Sequence, residues 1–214
     1  MPAAKIDSRP TTRQRVLRAA ERLLGTGRPE FSMRELAAEA GVSFATPFNL
    51  FGGKGAILHA LSAERIAAMH ARFAAAPPPG DAVARVLAAV GIAAAVMLES
   101  PAINRAVMAA LGAPSSEPGG VWARSRALWA EALGEGDGLA PRTRALAWNT
   151  LPDQLALTFR GVLSFWTAGE IVDQDLGLRA KAAAAALLLG FVEGNAREPL
   201  EAMLSEAAAR PGGS

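Results

Sequence analysis

"FSMRELAAEAGVSFATPFNLFGGK", residues 31–54, is the stretch whose reading decides the fold. Ser32-Met33-Arg34-Glu35 has the Ser-x-x-Glu spacing of a capping box, in which hydroxyl and carboxylate each accept the other residue's backbone N–H. That predicts a short helix through Ala40. Gly41 stops it, because glycine takes the left-handed turn conformation without a Cβ penalty. Ser43 is placed to cap a second short helix over roughly 44–50, which Gly52-Gly53 breaks. Leu36 and Ala40 face inward, Ala37 is small enough for the second helix to cross closely, and Val42 fills the space beneath the turn. Phe48 and Phe51 are expected to anchor the second helix against Val16, Ala20 and Phe31. Pro47, at about the fourth helical position, forfeits one early hydrogen bond, which a non-helical cap at Ser43 tolerates. The spacing alone fits a helix-turn-helix and a plain helical hairpin equally.

Working outward, Thr11-x-x-Gln14 is a second capping box, and Val16, Leu17, Ala20, Leu23 and Leu24 follow at helical spacing until Gly25 and Gly27. Lys54 begins a long helix to about Ala75. Pro77-Pro78-Pro79-Gly80 breaks the chain, Asp81 caps a helix to about Glu99, and Ser100-Pro101 opens another, proline suiting the first helical position. Residues 112–120 read as a mobile loop. Helices are expected near 121–134, 141–150, 152–169, 176–194 and 196–209, with 170–175 as a turn and Asp173 and Asp175 as capping residues. No strand alternation or internal repeat interrupts this pattern. The expected fold is all-α, with a three-helix N-terminal domain over 1–55 and a larger helical body over 56–214.

Composition agrees. A chain of 214 residues buries a sizeable core, and its 51% hydrophobic content includes only 8 Phe, 4 Trp and no Tyr. Much of the remainder is alanine, which suits helices packed closely on helices. With no cysteine there is neither a disulfide framework nor a thiolate metal site. The N-terminus "MPAAKIDSRPTT" lacks the apolar core of a signal peptide. The longest apolar run, Val86 to Leu98, is 13 residues, whereas a membrane span needs about 20. A buried central helix in a soluble, cytoplasmic protein is expected, with no membrane contact. Residues 1–60 carry nine Lys/Arg against five Asp/Glu, and the rest thirteen against fifteen, so a basic module precedes a slightly acidic body.

The run "FSMRELAAEAGVSFATPFNLFGGKGAILHAL" (31–61) resembles the DNA-binding signature of the TetR family of transcriptional regulators. The likeness lies in "RELA" (34–37), "AGVS" (40–43), the aromatic-x-x-Phe ending at Phe48 and Phe51, and the lysine after a short turn. It implies a helix-turn-helix that reads double-stranded DNA. Ser43 and the first turn of the second helix, Phe44, Ala45 and Thr46, would approach the bases together with Asn49, and Arg34 would reach a guanine edge. The family usually has tyrosine at position 48, whose hydroxyl reaches a phosphate. Phe48 loses that bond, and Leu50 stands where polar or basic residues are common. Lys54 opposes the dipole of the helix it opens, but a phosphate there would accept both its ammonium and the free backbone N–H groups. The chain uses 19 Arg and only 3 Lys, which makes this lysine less like surface filler.

For the body, the resemblance implies a homodimer through the helices near 152–169 and 176–194, set on a palindromic operator with half-sites ~34–36 Å apart. It also implies a small-molecule effector held among the body helices. Met69, Met97, Met108, Trp122, Trp129 and Phe159 are the large or adaptable apolar residues there, with Asn104, Arg105 and Asn149 as polar anchors. An apolar or amphipathic effector suits that set. By family analogy its binding would tilt the helix 54–75 and spread the two reading heads.

Nothing points to catalysis, a metal or a cofactor. His59 and His70, the only histidines, stand eleven residues apart on one helix, ~16 Å at 1.5 Å per residue. There is no G-x-S-x-G or H-E-x-x-H, and Gly52-Gly53-Lys54 is not a phosphate-binding loop, since Phe48 occupies the required glycine and Gly55 the Ser/Thr. The reading is a regulator, a repressor whose operator binding an effector modulates. The alternative is a helical ligand-binding or adaptor protein with weak or no specific DNA binding, which Phe48 and Leu50 support.

Overall fold

The computed structural model describes residues 10–26, 30–76, 80–112 and 120–210. They form α1 (Thr12–Gly25), α2 (Met33–Ala40), α3 (Ala45–Phe51), α4 (Lys54–Ala75), α5 (Ala82–Leu98), α6 (Pro101–Leu111), α7 (Val121–Leu133), α8 (Arg144–Thr167), α9 (Asp173–Leu188) and α10 (Glu198–Ala209), with two short 3₁₀ turns between the last two. No strand occurs among them, so the all-α expectation holds. The expected breaks at Gly27 and Pro77-Pro78-Pro79, the N-terminal nine residues and most of the loop 112–120 lie outside the described residues.

Both capping boxes form. Thr11 accepts from the Gln14 N–H at 3.2 Å and Ser32 from the Glu35 N–H at 3.2 Å, and each longer side chain returns the bond to its cap's backbone. Gly41 has φ 63° and ψ 43°, the left-handed cap that only glycine enters cheaply. Arg15 of α1 fastens that corner, donating to the Ala40 and Gly41 carbonyls at 2.9 and 2.7 Å. A β-carbon on Gly41 would lie 3.3 Å from this guanidinium. Gly41→Val is therefore expected to lower stability by at least about 1–2 kcal/mol, the cost of left-handed backbone for a residue with a Cβ. A urea denaturation midpoint checks it, and an unchanged midpoint contradicts the turn geometry.

Two hydrophobic clusters organise the chain. The N-terminal one joins Val16, Leu17, Ala20 and Leu24 of α1, Leu36 and Ala40 of α2, and Phe31, and it is completed by Ile57, Leu58 and Leu61 of α4 and Val107 of α6. The larger one is built on α5, which packs against α4, α7 and α9 and buries Val86, Ala89, Val90, Ala93, Val96 and Met97. The run Val86–Leu98 is thus a buried central helix. No single helix among the described residues is long and apolar enough to cross a membrane. α4 belongs to both clusters: Leu61 is in the first and Met69 and Phe73 are in the second.

Four local expectations need correction. The helices expected at 141–150 and 152–169 are one helix, α8, with Pro152 inside it. Ala147, Leu151, Leu155, Phe159, Leu163 and Trp166 form one buried stripe through the proline. At about 1.5–3 kcal/mol for each large buried side chain, that stripe outweighs the roughly 3 kcal/mol a mid-helix proline costs. The helix expected at 176–194 begins earlier, at Asp173, and ends at Leu188, after which the chain tightens into 3₁₀ turns and the Phe191 carbonyl accepts from the Ala140 N–H at 2.8 Å. Asp173 is not a cap. Its Oδ1 receives Trp166 Nε1 at 2.8 Å and Arg105 Nη2 at 2.7 Å, and the cap position is Val172. Asp175 pairs with Arg210 at 3.2 Å.

The fourth concerns α3. Its first residue is Ala45, its cap position is Phe44, and no side chain caps it. The Ser43 hydroxyl bonds the Thr46 hydroxyl at 2.8 Å instead. Pro47 is then the third helical residue, where an N–H would have had no intrahelical backbone partner. Pro47 is also the one buried residue of α3, whereas Phe48 is 40% exposed and does not anchor the helix. Phe51 does pack on the N-terminal cluster.

Candidate functional site

Two places bring the singled-out residues together. The first is the outer face of α2 and α3. Arg34, in the first turn of α2, is exposed, and its guanidinium lies 5.7 Å from the Phe44 ring centroid. Phe44 and Phe48 meet edge to face at 5.5 Å. Phe44, Ala45, Phe48 and Asn49 are exposed, as is Ser43, while Thr46 is half-buried. Leu50 is exposed on the same short helix. The face of α3 is therefore uncharged and partly aromatic, with cations supplied from neighbouring elements.

Lys54 opens α4, whose first turn carries no acidic residue and whose cap, Gly53, offers no side chain. The ammonium lies 4.6 Å from the Phe31 ring centroid and 3.8 Å from the Glu30 carboxylate. A third cation escaped the sequence reading: the Arg13 guanidinium stacks 4.4 Å from the centroid of Phe51, the last residue of α3. Arg13 was legible only as an exposed position in the first turn of α1, because the stacking joins residues far apart in sequence.

The second place is a partly open cavity of about 480 Å³ lined by α4, α5, α6, α7 and α8. Met69, Met97, Asn104 and Met108 line it together with Trp122, Trp129 and Phe159, so seven of the nine residues expected around an effector share one wall system. Trp129 and Phe159 stack edge to face at 5.4 Å, and Trp122 stands half exposed at the rim. Arg105 and Asn149 are not among the lining residues: Arg105 is committed to Trp166 and Asp173, and Asn149 is exposed on α8.

Asn104 lines the cavity with its amide already engaged. Its Nδ2 donates to the Val96 and Met97 carbonyls at 3.3 and 2.8 Å, closing the end of α5, and its Oδ1 accepts from Arg65 Nε at 2.8 Å. Arg65, another lining residue, also pairs with Glu21 of α1. One guanidinium on α4 thus ties the cavity wall on α6 to the N-terminal helices. Burial and the nearby Glu21 carboxylate push Glu64, beside it, above the usual carboxylate range.

Arg65 and Arg160 are cavity residues that the sequence reading did not find. Once Phe159 is placed facing inward, the helical period puts Ala156, Arg160 and Leu163 on the same side, and all three line the cavity. Burial pulls the Arg160 guanidinium below its ordinary range. His59, also on the wall, has a buried Nδ1 without a hydrogen-bond partner among the described residues. Its distant neighbour His70 bonds Glu131 at 2.7 Å, outside this cavity.

No protein-family model matches the chain, and no curated protein does. Solved structures do match. A TetR transcriptional regulator from Rhodococcus sp. RHA1 is 22% identical, the alignment covering 83% of this chain and 96% of that one, with a TM-score of 0.66. A TetR-like transcriptional regulator from the same organism is 17% identical over 89% and 99%, with a TM-score of 0.50. At these identities the likeness is one of fold, and the chain has the TetR-like fold.

Proposed function

We propose that the protein is a homodimeric, cytoplasmic DNA-binding regulator: a repressor whose operator binding is modulated by a small molecule in the cavity. Residues 1–55 act as the DNA-binding domain and 56–214 as the effector-binding and dimerisation domain. The observation that carries this reading is the outer face of α3. Its first turn leaves Phe44 and Ala45 uncovered, with Asn49 one turn on, and Arg34 and Lys54 flank it from α2 and the start of α4. Phosphate neutralisation supplies affinity and base edges supply specificity, so an uncharged reading helix between two cationic neighbours divides the two tasks.

Dimerisation through α8 and α9 is supported by Leu157 and Phe165, which are 48% and 54% exposed two turns apart on α8. Large apolar side chains exposed on an otherwise packed helix mark an interaction surface. A two-fold pair of heads would meet half-sites ~34–36 Å apart. The route from cavity to head runs along α4: Ser62, Arg65, Ile66 and Met69 face the cavity, and Arg65 holds Glu21 of α1. A ligand that moves this stretch of α4 would move the head with it.

The exposed Phe44–Phe48 pair and Leu50 favour one other reading, an adaptor that uses the same face on a protein and grips DNA weakly. Fluorescence anisotropy against DNA from upstream of the gene, at several salt concentrations, separates the two. The regulator binds specifically and salt-dependently, whereas the adaptor shows no sequence preference. Arg34→Ala is expected to relax preference at one base pair at a cost of about 1–3 kcal/mol. Lys54→Ala should weaken binding to all sequences alike and reduce the salt slope by about 1. A sequence-dependent loss at Lys54 would contradict its role on phosphate.

A further inference from the structure

Arg160 is an unusual group to find on an apolar wall. Its Nη1 lies 3.4 Å from the Met108 thioether sulfur, and this is its only hydrogen-bond contact among the described residues. A thioether is a weak acceptor, and the guanidinium has five N–H donors. None of the lining residues among the described residues is a carboxylate. The contrast with Arg65 on the same cavity is direct: Arg65 has Glu21 and the Asn104 carbonyl oxygen, while Arg160 has neither a carboxylate nor a carbonyl among the described residues. A partly buried, uncompensated charge costs folding free energy, so packing alone does not account for an arginine here. Around it the walls are apolar, with Met69, Met97, Leu128, Trp129, Phe159 and Leu163 all buried.

We propose that the cavity takes an amphipathic monoanion, an apolar body ended by one carboxylate, and that Arg160 is the residue that holds the carboxylate. This rests on the reading of the cavity as the effector site. The single uncompensated charge matches a carboxylate, and the planar guanidinium offers the paired donors that a carboxylate accepts side by side. Methionines and aromatic rings give an adaptable wall for the apolar body.

Tryptophan fluorescence of the purified, full-length protein provides the test, since Trp122 and Trp129 border the cavity. The probes are decanoate, 1-decanol and decyltrimethylammonium, each below its aggregation concentration. Decanoate is expected to bind about tenfold or more tightly than decanol, because a hydrogen bond to a charged group is worth about 1.5–3 kcal/mol. The cation should bind most weakly. Arg160→Met is expected to bring decanoate to the level of decanol while leaving decanol itself unchanged, which shows that the variant is folded and its cavity intact. Arg160→Lys should keep part of the preference. Equal binding of decanoate and decanol to the unaltered protein, or a preference that survives Arg160→Met, overturns the assignment. If none of the three probes moves the fluorescence, both the ligand cavity and this assignment fall. If decanoate binds through Arg160 but leaves DNA affinity unchanged, the carboxylate site stands and the regulatory reading fails.

Discussion

Trp166→Ala is expected to lower the stability of the protein by about 3–5 kcal/mol, the range for truncating a large buried aromatic residue. Trp166 has no exposed surface and closes the buried stripe of α8. Two contacts go with the ring, and a third beside them is made by the residue's backbone carbonyl and stays in the variant. The indole Nε1 donates to Asp173 Oδ1 at 2.8 Å, the Arg105 guanidinium stacks 4.6 Å from the ring centroid, and Arg105 Nε donates to the Trp166 carbonyl at 3.1 Å. The indole thus fixes α6, the end of α8 and the start of α9 to one another. Alanine leaves a void, an arginine without its ring, and a carboxylate with one donor fewer. Trp166→Phe keeps most of the volume and the stacking surface, and should cost clearly less. Chemical denaturation of both variants checks this. A loss below about 0.5 kcal/mol for alanine, the usual range for surface positions, would contradict the packing of this corner.

Ala45→Glu is expected to leave the fold intact and to remove specific DNA binding. Ala45 is the first residue of α3 and is exposed. A carboxylate at a helix N-terminus is favourable by about 0.3–1 kcal/mol, so thermal stability should hold or rise slightly. The same carboxylate would face a polyanion if the first turn of α3 approaches DNA. Like charges brought together at an interface cost several kcal/mol, which is about a hundredfold or more in affinity. The two readouts move in opposite directions, so a folding defect cannot imitate the expected result. Wild-type affinity in this variant would exclude the first turn of α3 from the contact.

What the sequence made legible follows from local chemistry. The capping boxes at Thr11 and Ser32 and the left-handed Gly41 depend on residues at most three apart, and all three form as expected. Six apolar residues of the cavity wall were legible for a related reason, since large apolar side chains on amphipathic helices share the inward direction that the cavity borders. Pairings between distant elements left no such trace. Phe48 reads as an anchor in a list of aromatic residues, yet Pro47 takes the buried position and Phe48 turns outward onto Phe44. Pro152 reads as a break because local cost is visible and the burial of Ala147, Leu151 and Leu155 around it is not. Asp173 reads as a cap until Arg105 and Trp166 arrive from α6 and α8. Arg160 is the sharpest case: it is one of 19 arginines, and its character comes from having no carboxylate partner among the described residues.

The most direct measurement of the central claim is a footprint of the purified protein on DNA from upstream of the gene. The prediction is a protected, two-fold symmetric site whose half-site centres lie one helical turn apart, ~34–36 Å, with protection fading as salt is raised and lost together in both halves when a ligand fills the cavity. Protection without symmetry or sequence preference, or none at any salt concentration, would contradict it.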